Sequence, residues 1–156
     1  MDSTGNSTIF ILYNARASIL GKLDYARRKL TASAGASACS ACDLTHGGLR
    51  LEESAAWQET KKQINAPVKQ LHQDELTPEV SEIRGICPGD RHTLQLRDFV
   101  SSKNLRYPMV LGQSDNGPLK VLIDSEALQT VAADHSAFLS LLSKRAQEES
   151  VPLPKP

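Results

Sequence analysis

The sequence predicts an α/β protein whose sheet is covered on both faces. Three observations carry this reading. Ile9-Phe10-Ile11-Leu12-Tyr13 is a continuous apolar run of β-formers, the pattern of a strand buried on two sides. Ile19, Leu20, Leu23, Ala26 and Leu30 then recur at three- and four-residue spacing, the period of an amphipathic helix over 18–31. Two more strand-like runs, Tyr107 to Leu111 and Leu119 to Ile123, flank the turn Ser114-Asp115-Asn116-Gly117-Pro118 and read as a hairpin.

The remaining elements follow in order. Ala32 to Ser40 is rich in small residues, which suits a loop, and the cysteines Cys39 and Cys42 fall at its end. Glu52 to Ile64 reads as a helix, with Glu52 and Glu53 favouring its positive end and Ala55, Ala56, Trp57 and Ile64 as its buried side. Asn65-Ala66-Pro67 ends it, because proline cannot continue a helix. Val68 to His72 is a short strand. Thr77-Pro78-Glu79 opens a helix with proline at its first position, and Gly85 stops it. Cys87-Pro88-Gly89-Asp90 is a turn. Leu94 to Val100 fits either helix or strand. Ser136 to Lys144 is the last helix, with Asp134 as its cap.

This order is a strand–helix–strand unit followed by a strand–strand–helix unit. It is the thioredoxin-like order, with a helix–loop–helix insertion that carries C-x-x-C in the first crossover. In such folds the X-Pro bond just before the first hairpin strand is often cis, and Tyr107-Pro108 stands at that place. The expected organisation is a disordered leader over 1–8, a single domain over 9–147 and a flexible, proline-bearing tail over 148–156.

Composition narrows the function. The 156 residues are 40% hydrophobic and 23% charged, an ordinary mix for one globular domain. Lys plus Arg number 18 and Asp plus Glu number 18, so no basic excess points to nucleic acid. Three Phe, three Tyr and one Trp are too few for a base-stacking platform. The longest apolar run is far short of the ~20 residues that cross a bilayer. The leader has no basic stretch before its apolar run, unlike a secretory signal. Three cysteines, two of them three residues apart, do not make an extracellular disulfide framework, so a cytoplasmic location is expected.

Cys39-Ser40-Ala41-Cys42 is the one chemically specific feature. Two thiols at this spacing can close a disulfide within one turn or grip one face of a tetrahedral metal. His46 is best placed to join them as a zinc ligand, ahead of Cys87, His72 and His92. Bland readings stand beside these. His46 before Gly47-Gly48 serves equally as a turn residue, Cys87 as a small hydrophobe, and His135 as part of a helix cap. In the ordinary thioredoxin arrangement the redox pair follows the first strand directly, where a helix N-terminus lowers the thiol pKa. Here Tyr13-Asn14-Ala15-Arg16 holds that position and the cysteines come a whole helix later. No phosphate loop, dinucleotide fingerprint or nucleophile elbow is present.

Phe10-Ile11-Leu12-Tyr13-Asn14-Ala15, Cys39-x-x-Cys42-x-Leu44-Thr45-x-Gly47, Trp57, His72-x-Asp74-Glu75 and Tyr107-Pro108 together resemble a family of small, functionally uncharacterised bacterial proteins. The resemblance spans roughly residues 9 to 145. Ala41 departs from that pattern's leucine, and His46 from a common aromatic. Some members carry a GTPase label, but this chain lacks the phosphate-cradling loop such a site needs.

Two functions are therefore expected to compete. In the first, Cys39 and Cys42 act together, either as a thiol-disulfide oxidoreductase on a protein or small thiol or as a zinc site with His46, with Tyr13, Asn14 and Pro108 lining the neighbouring groove. In the second, the chain is a non-enzymatic protein-interaction module and its cysteines are structural. No nucleic-acid or membrane partner is expected, and oligomeric state is not legible.

Overall fold

The computed structural model describes residues 6–13, 40–46, 53–72, 76, 91–115 and 117–153. Four strands form one mixed sheet: β1 (Ser7–Tyr13), β2 (Val68–His72), β3 (Met109–Ser114) and β4 (Lys120–Ile123). Their order is β2-β1-β3-β4, with β1 and β2 parallel and the other pairs antiparallel. Among the described residues there are five helices: α1 (Ser40–His46), α2 (Ala55–Ile64), α3 (Arg91–Ser102), α4 (Ser125–Val131) and α5 (His135–Glu148).

The apolar run of β1 explains the layers. Successive strand residues point to opposite faces, so Ile9, Ile11 and Tyr13 enter one core and Phe10 and Leu12 the other. The first core is closed by Ala41 and Leu44 of α1, Trp57 and Ile64 of α2, Leu128 of α4, and Phe138, Leu142 and Ala146 of α5. The second is closed by Leu96 and Val100 of α3, with Leu76 and Leu119. Helices thus cover both faces of the sheet, and β1 is buried between them.

Several expectations are sharpened or corrected. β1 begins at Ser7, so the end of the expected leader is part of the sheet. Ser40 to His46 is a helix, because Ala41, Leu44 and Thr45 at three- and four-residue spacing find a core to enter. α2 starts after Ser54, whose hydroxyl accepts from the Trp57 N–H at 3.1 Å. Its buried side is Trp57, Thr60 and Ile64, while Ala55 and Ala56 face outward. Asn65, in the left-handed region at φ 56°, ends it ahead of Pro67. Leu94 to Val100 belongs to helix α3. Asp134 caps α5, accepting from the Ala137 N–H at 3.0 Å. The hairpin is present as β3 and β4, and the Tyr107–Pro108 bond is cis. The expected helix over 18–31, the helix opened at Thr77 and the turn at Cys87 lie outside the described residues.

Candidate functional site

Tyr13 is the last residue of β1 and pairs in register with His72, the last residue of β2. Their rings stack with centroids 4.9 Å apart and planes 22° apart. Leu12 pairs with Met109, so Pro108 lies beside Tyr13 at the same sheet end. The carboxyl ends of β1 and β2 and the start of β3 therefore converge there, a common location for sites in open α/β sheets.

α1 is tied to this end. The Tyr13 hydroxyl lies 3.0 Å from Thr45 Oγ1 and 2.5 Å from Gln70 Oε1. The phenol has one hydrogen to share between these two oxygens, and Thr45 donates its own to the Ala41 carbonyl at 2.8 Å. Trp57 Nε1–H, which can only donate, points at Gln70 Oε1 at 3.2 Å. That contact assigns the Gln70 amide, with oxygen toward Trp57 and Tyr13 and nitrogen toward Glu53, whose carboxylate accepts from it. Lys61 Nζ pairs with the other Glu53 oxygen at 2.7 Å. A polar track thus runs from Lys61 and Glu53 at the surface, through Gln70, to a phenol and a threonine that are both buried.

A second polar contact lies nearby on the same face. His135 Nδ1 is 2.7 Å from Thr60 Oγ1, and Thr60 donates to the Ala56 carbonyl at 2.8 Å. With the threonine hydrogen on Ala56, Nδ1 is the donor of that pair. The His135 ring also meets the edge of Trp57, with centroids 6.2 Å apart. His135 is therefore bound into the core contacts of α2 rather than serving as the cap, which is Asp134. At the mouth of β3, burial pushes the Tyr107 phenol above its ordinary pKa.

Of the residues expected to form the site, the structure brings Tyr13 and Pro108 together. Cys42 and His46 lie on α1, in its first turn and at its last residue, and their side chains are not among those described. Cys39, Asn14 and Cys87 fall outside the described residues. Among the described residues no group of three His, Cys, Asp and Glu side chains is placed to hold a metal ion, and no helix is long and apolar enough to cross a membrane. Gln70 did not stand out in sequence, Glu53 did so only as an acid at a helix start and Thr45 only within the motif that carries the resemblance. The available signal was weak: Val68, Gln70 and His72 alternate with Lys69 and Leu71, which puts the glutamine on an inward strand face.

No known protein family, curated protein or solved structure matches this chain.

Proposed function

We propose that the chain is a thioredoxin-like thiol protein in which Cys39 and Cys42 act together at the end of β1. The observation that carries this reading is the Tyr13–Thr45 contact, which holds the Cys42-bearing helix at the sheet end where Pro108 also lies. The strand order β2-β1-β3-β4, with one parallel and two antiparallel pairings, supports the fold assignment.

As a redox pair, one thiolate attacks a sulfur of a substrate disulfide and expels the first substrate thiolate. The second thiolate then attacks the protein sulfur of the mixed disulfide and expels the other. Substrate is reduced by two electrons and the pair is oxidised to a disulfide. The alternative use of the same residues is a zinc site. Cys42 and His46 are four positions apart on one helix. Zinc there would hold both thiols as thiolates and lock α1.

Elemental mass spectrometry on untagged protein, with thiol counts before and after denaturation, separates these uses. Near-stoichiometric zinc, lost in Cys39→Ser/Cys42→Ser, identifies a metal site. Metal-free protein with two thiols that oxidise and reduce together identifies a redox pair. Neither result would overturn the proposal and leave the interaction module with structural cysteines as the better account.

A further inference from the structure

We propose that Tyr13 and Gln70 are positioning residues that latch α1 onto the end of the sheet, and that breaking the latch opens α1 ahead of the rest of the fold. The functional meaning of the latch rests on the thiol-site reading above; its existence does not.

The case begins with the length of α1. Seven residues make two turns, too few for a helix to persist alone in water, so its surroundings keep it folded. Among the described residues, its buried apolar contribution is one alanine and one leucine, Ala41 and Leu44. A backbone bond from Ser54 N–H to the Thr45 carbonyl at 2.9 Å fixes its last turn. The Tyr13–Thr45 contact joins two groups that are 1% and 0% exposed, where a lost partner is costly. It is the side-chain tie between this helix and β1.

The other end of the latch is rigid. Gln70 Oε1 accepts from Trp57 and shares the single Tyr13 hydrogen with Thr45, and its nitrogen donates to Glu53, which Lys61 holds in turn. The amide cannot rotate without losing the Trp57 bond. The phenol is thereby aimed from β2 and α2, elements that stay in place when α1 moves. Removing the phenol oxygen breaks the link to α1 and leaves the Trp57–Gln70–Glu53 bonds intact.

Hydrogen exchange of α1 amides against α5 amides tests this in the full chain. Tyr13→Phe keeps the ring against His72 and removes only the hydroxyl; Thr45→Val removes its partner. Each is expected to speed α1 exchange roughly fivefold while α5 amides stay put, and the pair to be less than additive, since both remove the Tyr13–Thr45 contact. Gln70→Met, which also removes the Trp57 and Glu53 bonds, is expected to raise exchange in α2 as well as in α1. Exchange that rises equally in α1 and α5, or not at all in α1, overturns the latch. Metal content and reversible oxidation, measured in otherwise unmutated protein, report on the thiol reading separately, so the two cannot fail unnoticed together.

Discussion

At the scale of single residues, this structure concentrates its polar chemistry where the strands end. Tyr107 is half-buried beside Pro108, and burial raises its phenol above the ordinary value near 10. A raised pKa means the folded state holds the proton more tightly than the unfolded chain. The associated stability is fully present below about pH 10 and is lost as pH climbs through the folded value. The melting temperature of the wild type should therefore fall more steeply as pH rises above about 10 than that of Tyr107→Phe. Parallel slopes would show that the phenol ionises as freely in the fold as in the open chain. Tyr107-Pro108 and Tyr13 were visible in the sequence because each stands at the boundary of an apolar run. Gln70 was not, and neither Thr45 nor Glu53 was visible as part of a site. A neutral threonine or glutamine leaves the same mark in a sequence whether it is solvated or buried, and only the neighbours brought by the fold distinguish the two.

At the scale of elements, what was legible follows from where each boundary residue advertises itself. Asp134 precedes an apolar helical run and caps α5 as its type predicts. α4 escaped notice because two buried residues, Leu128 and Val131, are too few to establish a helical period in seven positions. α1 was hidden in the same way, its small residues reading as loop. The end of α5 was hidden for a different reason. Ser150 adopts φ 58°, Val151 N–H bonds to the Ala146 carbonyl at 2.8 Å and Ser150 N–H to the Gln147 carbonyl at 3.3 Å. This is the Schellman arrangement, in which glycine is the usual left-handed residue. A serine there gives no stop signal and carries a Cβ that disfavours the conformation. Ser150→Gly should therefore raise stability by about 0.5–1 kcal/mol in urea denaturation, although glycine gains freedom in the unfolded chain. A clear loss of stability instead would mean that the serine side chain contributes something at this turn beyond what its backbone suffers.

At the scale of the whole molecule, both ends of the described chain meet on one side of the sheet. The turn after Ser150 sends Val151 back into the first core, where it is 2% exposed. A Cβ on Gly112 of β3 would lie 2.7 Å from Leu122 and 3.1 Å from Val151, so these two side chains already fill the space above that glycine. Ser7, at the start of β1, donates to the Pro152 carbonyl at 2.6 Å, joining the first strand to the chain's last described segment. Proline content pointed to a flexible tail over 148–156, yet Val151 is buried, Pro152 is hydrogen-bonded and Leu153 packs against the core. Composition records that the segment cannot be a helix or central strand; it does not record that an extended segment can close a core. A chain ending at Ser150 loses one buried valine, worth about 1.5–3 kcal/mol, the packing of Leu153, and two hydrogen bonds of about 1 kcal/mol each, Val151 N–H to Ala146 and Ser7 to Pro152. It should unfold at clearly lower urea with its m-value little changed. Val151→Ala, which keeps the backbone and the Ser7 bond, should show only the side-chain part of that loss. A truncated protein with an unchanged midpoint would mean that nothing after Ser150 belongs to the fold.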